Sequence, residues 1–111
     1  VVVQQHVRVG RYSLIQSGCR VQKDVPPYVI LGGNPASYHG VNAVVLKHVN
    51  KTDRIIRHIA NTYRIIYTGN FSLEDAVLKI PEQIPMSEEI EDILEFVRGA
   101  KHGIVRHMEE D

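Results

Sequence analysis

From the start of the chain an aliphatic residue recurs every six positions: Val3, Val9, Ile15 and Val21. Four positions after each stands a small or β-branched residue, Val7, Ser13, Cys19 and Val25. Few folds tolerate such a period. In a parallel β-helix each hexad forms one short flat face and one corner. The aliphatic residue then fills the axis of the prism, and the fifth position also points inward. Cys19 accordingly reads as a small core residue rather than a reactive thiol. An antiparallel hairpin also satisfies the underlying period of two. Nothing between Gly10 and Pro26, however, has the Asn-Gly or Asp-Gly chemistry of a hairpin turn, so the solenoid is preferred. At three hexads per turn, the four hexads make little more than one coil. Solenoids bury their cores by stacking at least about three repeats. The open aliphatic edge therefore calls for upstream coils or a partner chain. The sequence starts inside the pattern, at Val1-Val2-Val3 and without a Met, and is expected to be a fragment.

The repeat is expected to end at Pro26 and Pro27, which remove two backbone donors and should stop the ladder. Gly32 and Gly33 then permit a tight bend or a close approach to a ligand. Residues 1–42 form the terminal coil and exit loop on this reading, and residues 43–111 a C-terminal α-helical domain. A short helix is expected over Ala43–His48. Thr52 caps a helix running to Tyr67, with Ile55, Ile56, Ile59, Tyr63 and Ile66 on one stripe and Gly69 as its stop. Ser72, with Asp75 three residues later, starts a second over Leu73–Ile80, which Pro81 should break. Ser87 starts a third, with the stripe Ile90, Ile93, Leu94 and Val97, ending near Gly103. The last residues, His107 to Asp111, read as polar and frayed. The fold class is thus β + α, the last coils of a parallel β-helix followed by a three-helix domain.

Thirteen basic and thirteen acidic residues balance over the 111 positions, which argues against a nucleic-acid surface or a polybasic membrane arm. The longest apolar stretch, Pro26 to Leu31, is far short of a membrane span. A single cysteine excludes a disulfide framework and fits a reducing, cytoplasmic compartment. The six histidines, His6, His39, His48, His58, His102 and His107, lack metal-ligand spacing, so no metal site is expected.

Val25-Pro-Pro-Tyr28 and Gly33-Asn34-Pro-Ala36, closing a hexad repeat, resemble the hexapeptide-repeat acyltransferases. Gly40-Val-Asn42, Leu46-Lys47, Tyr63-Arg64 and a final helix leading from Arg98 to Gly103-Ile104 are more specific. They resemble the C-terminal part of the acyl-ACP–UDP-N-acetylglucosamine O-acyltransferase family, over nearly the whole chain. The resemblance implies a homotrimeric left-handed β-helix with a helical C-terminal domain. It also implies transfer of a 3-hydroxyacyl chain from acyl carrier protein to the sugar 3-hydroxyl of UDP-N-acetylglucosamine, the first step of lipid A synthesis, with no cofactor.

The family's general base is a histidine upstream of Val3, so the resemblance places no catalytic residue in this chain and implies that the chain alone is inactive. Gln4 stands where the family commonly has a histidine near the substrate, and Gln5 matches a substrate-contacting glutamine. Asn42 matches the asparagine near the uridine, and His39 lies beside it. Pro35 replaces another histidine. His48 and Val49 replace a pair of arginines, the second of which approaches the diphosphate, so that either Lys47 or His48 compensates or the donor or acceptor differs. Ser17 stands where the family usually has glycine, at the acyl-chain ruler. The basic run Lys51, Arg54, Arg57 and Arg64, set against an acid-rich stretch from Glu74 to Asp111, offers a docking surface for the acidic carrier protein. Two other readings stay open: a non-catalytic trimerisation or sugar-nucleotide-binding module, and a CoA-dependent hexapeptide acetyltransferase.

Overall fold

A computed structural model describes residues 1–101 and 103–107. The coil contains three two-residue strands, β1 (Val2–Val3), β2 (Leu14–Ile15) and β3 (Arg20–Val21), then β4 (Val29–Gly32). Its corners are residues in the left-handed region: His6, Tyr12 and Gly18, six apart, and then Tyr28. Val3 pairs in parallel with Val21, 18 residues on, as three hexads per turn require. Val9 instead pairs with Val25, and Ile15 with Leu31, each only 16 residues on.

The fourth hexad is therefore shortened by two residues. This corrects the place of Val25, which takes the axial position opposite Val9 and not the fifth position of its own hexad. Val21, Val25, Val29 and Leu31 are all fully buried, and Cys19 is buried beside them. Val3 and Val9, at the open edge, remain about half exposed. The prolines do not stop the ladder either. Gly10 N–H donates to the Val25 carbonyl and Tyr28 N–H to that of Arg11. Pro26 and Pro27 thus fall at the corner between two ladder bonds, where no N–H is needed. Tyr12 and Tyr28, at the same corner of successive turns, stack with ring centroids 6.2 Å apart.

After Gly33 the chain turns back as β5 (Ser37–Val41), antiparallel to β4. The sequence reading had only a loop here. Four helices follow: α1 (Ala43–His48), α2 (Asp53–Thr68), α3 (Leu73–Gln83) and α4 (Glu88–Arg98). Thr52, Ser72 and Ser87 each accept the backbone N–H three residues on, as N-caps do. Two ends differ from expectation. Pro81 lies inside α3, where it removes only one bond in the last turn, while Ile80 and Ile84 on either side are buried. Helix α4 stops at Gly99, not near Gly103, because the chain must leave it to reach the coil. It does so as Ile104 bridges Asp24, and β6 (Arg106–His107) then pairs in parallel with β5. Strand β6 includes His107; the rest of the stretch expected to fray, residues 108–111, lies outside the described residues.

One buried cluster runs from the coil through Tyr28 and Leu46 into Ile59, Tyr63, Ile80, Ile90 and Leu94. Among the described residues no helix is long and apolar enough to cross a membrane.

Candidate functional site

Alternation along a strand puts Ile15 and Leu31 toward the axis, so the paired Leu14 and Ile30 face outward. Val44 and Val45 of α1 stand beside them. Together with Tyr12, Ser13, Asn42, Lys47 and His48 they line an open groove of about 870 Å³. Its apolar side is conspicuous on a surface: Leu14 is 47% exposed and Val44 81%. Asn42 is buried, and its side-chain amide donates to the Tyr12 carbonyl at 3.1 Å, locking α1 to the coil corner. Ser13 Oγ lies 2.9 Å from the carbonyls of both Gly10 and Pro26 and holds that corner from behind. Lys47 Nζ is 4.0 Å from Asp53, but both side chains are well exposed, so the pair restrains the ammonium little.

Of the residues singled out from the sequence, Asn42, Lys47 and His48 converge on this groove. Gln4 and Gln5 lie on the exposed first coil, and Ser17 on the corner just before Gly18. His39, exposed on β5, lies against Gly32 with Gln16. A Cβ on Gly32 would meet the Gln16 amide oxygen at 2.6 Å and the His39 ring at 2.9 Å, so that glycine serves a close side-chain approach. Tyr12, Leu14, Ile30 and Val44 were missed as groove residues. The outward alternation of Leu14 within its hexad was the available signal.

Arg54, Arg57 and Arg64 are exposed along α2. Lys51 is not presented in the same way, because its ammonium donates to Glu89 at 3.1 Å. Glu89 is only 8% exposed. Burial alone would raise its carboxyl, but hydrogen bonds from its own backbone N–H, Lys51 and Ser87, together with the Lys51 charge, outweigh that and hold it below the ordinary range. A carboxylate so depressed stabilises the fold above its unfolded value of about 4.3 and ceases to do so as the pH falls through the folded value. Glu89→Gln is therefore expected to cost about 1–3 kcal/mol at neutral pH and to flatten the loss of stability below roughly pH 4.5. Urea midpoints measured across that range check it.

A family model described as Udp N-acetylglucosamine O-acyltransferase, Domain 2, matches residues 24–105. The chain belongs to this family. A named O-acyltransferase of the family, acyl-[acyl-carrier-protein]–UDP-N-acetylglucosamine O-acyltransferase from Syntrophobacter fumaroxidans, is 36% identical over 98 residues, covering 87% of this chain and 38% of its own. The enzyme of that name from Halorhodospira halophila is 31% identical over 105 residues, covering 95% of this chain and 41% of its own. The crystal structure of LpxA, a UDP-N-acetylglucosamine acyltransferase from Bacteroides fragilis, superimposes with a TM-score of 0.91 at 43% identity, over 94% of this chain and 41% of that one. This chain thus spans about two fifths of the acyltransferases it matches.

Proposed function

We propose that the protein carrying this chain transfers a 3-hydroxyacyl group from acyl carrier protein to the 3-hydroxyl of UDP-N-acetylglucosamine, as a cytoplasmic homotrimer built on a left-handed β-helix. The observation that carries this reading is the groove. It sets an apolar floor, Leu14 and Ile30, beside one cation and two polar groups, Lys47, His48 and Asn42. The floor suits an acyl chain or a nucleobase, and Lys47 is a point charge able to meet a diphosphate. Residues 1–42 supply the terminal coil and the exit from it, and residues 43–111 the helical domain. The exposed arginines of α2, Arg54, Arg57 and Arg64, steer the acidic carrier protein, while Lys51 mainly anchors α4 through Glu89. Gln4, Gln5 and His39 complete the substrate contacts from the coil and from β5. The general base that takes the hydroxyl proton lies on the protein outside this chain, so residues 1–111 alone are inactive.

The test is a transfer assay with the carrier thioester and UDP-N-acetylglucosamine. The full-length protein should turn over, and residues 1–111 alone should not. Absence of transfer by the full-length protein, or turnover by residues 1–111, would contradict the reading. Ser17 provides a finer check as the ruler of chain length. A single methylene discriminates by roughly 1–3 kcal/mol in a fitted apolar groove. Ser17→Gly is expected to lengthen the preferred acyl chain and Ser17→Met to shorten it, read as ratios of kcat/KM. Unchanged ratios in both variants leave Ser17 an ordinary corner residue.

A further inference from the structure

A second cleft, which shares no lining residue with the groove, draws cationic residues from separate parts of the sequence. Arg20 comes from β3, Lys23 from the segment that follows it, and Arg106 from β6. They line a cleft of about 270 Å³ together with Gln22, and its apolar base includes Ala36 and Val105. Among the described residues no carboxylate lines it. Among the described residues none of the three cations has an ion-pair partner; Arg8, Arg11, Lys47, Lys51 and Lys79 do, while the exposed arginines of α2 do not.

The backbone that carries them is fixed. Ala36 N–H donates to the Arg20 carbonyl at 3.0 Å, and Val105 N–H to that of Asp24 at 3.0 Å. Ser37 of β5 is in register with Arg106. The return of the chain after α4 is thus what brings the third charge to the other two. In a chain with no net charge, three like charges on the walls of one cleft repel one another, and an anion between them relieves that repulsion. Two guanidinium forks and an ammonium, with the Gln22 amide beside them, suit the oxygens of a phosphate group.

We propose that this cleft binds a small phosphorylated anion, a phosphate or diphosphate group, at a site separate from the groove and independent of the function proposed for it. A free anion and the diphosphate of a nucleotide present the same chemistry.

The experiment is calorimetric titration of the full-length protein with inorganic pyrophosphate at physiological ionic strength. Saturable binding is expected, weakened about tenfold or more, 1.4 kcal/mol per decade, in the triple variant Arg20→Gln/Lys23→Gln/Arg106→Gln. Arg54→Gln/Arg57→Gln, on α2, should leave it unchanged, and Lys47→Ala should remove only a separate contribution from the groove. Should the triple variant fail to fold, Arg106→Gln alone, at an exposed side chain, should still weaken binding severalfold. Pyrophosphate affinity that is unaltered by these cleft substitutions overturns the assignment. So does an equal loss in the α2 variant, which would mark a diffuse ionic atmosphere, or a loss confined to Lys47→Ala, which would place the anion in the groove. Competition by UDP would identify a nucleotide as the source and its failure a free anion; both agree with a phosphate site. Competition by uridine, which has no phosphate, would contradict it.

Discussion

Gly10→Ala is expected to cost about 3 kcal/mol or more, the upper end of what overpacking brings. A Cβ at this position would lie 2.4 Å from the Pro27 nitrogen, 2.6 Å from its Cα and 2.8 Å from the Pro26 carbonyl carbon. All three are backbone atoms of the neighbouring corner, and the ladder bonds on either side pin that corner in place. It has nowhere to go. Replacing Pro27 with alanine should not rescue the variant, since the clashing atoms belong to any residue. Gly32→Ala is the control. Its new Cβ meets the ends of Gln16 and His39, exposed side chains that can swing aside, so its cost should stay below about 1 kcal/mol. Equal urea midpoints for the two variants would mean that the corner is not packed as described.

Removing the Tyr63 ring should have a comparable effect. Tyr63 is fully buried in α2 and donates its hydroxyl to the Pro27 carbonyl, joining the helices to the same corner. Its ring lies 5.6 Å from that of Tyr38 on β5 and 6.1 Å from that of Tyr67. Burial pushes the hydroxyl well above its ordinary pKa, so it remains a neutral donor across the working range. Tyr63→Ala should cost about 3–5 kcal/mol through the cavity it leaves. Tyr63→Phe keeps the ring but strands the Pro27 carbonyl, at about 1–3 kcal/mol. A near-neutral Tyr63→Phe in denaturant unfolding would show that water replaces the lost donor.

The elements legible in the sequence were those set by short-range chemistry. The hexad spacing places Val3 on Val21, and Thr52, Ser72 and Ser87 mark their helices because a cap acts within three residues. What the sequence hid depends on distant partners. Pro26 and Pro27 look like the end of a ladder until Gly10 is placed against them. Pro81 looks like a helix end until Ile80 and Ile84 are seen to be buried around it. Lys51 reads as one more exposed cation, yet its partner Glu89 lies 38 residues away. The return of the chain as β6 has no signal in a two-residue strand. At the groove, Asn42 and Lys47 stood out as polar groups matched to a family pattern, and His48 as a departure from it. Ile30 and Val44 did not, because an apolar residue facing outward has the same composition as one facing in, and only its alternation with the axial Ile15 marked Leu14.

The central claim is that this groove holds the sugar nucleotide. It is tested most directly by the KM for UDP-N-acetylglucosamine in the full-length protein bearing Lys47→Ala and His48→Ala. Both side chains are exposed, so the fold should be unaffected. If they bind the diphosphate equally in the ground state and in the transition state, KM should rise about tenfold or more with kcat nearly unchanged. An unaltered KM in the folded double variant would place the sugar nucleotide elsewhere.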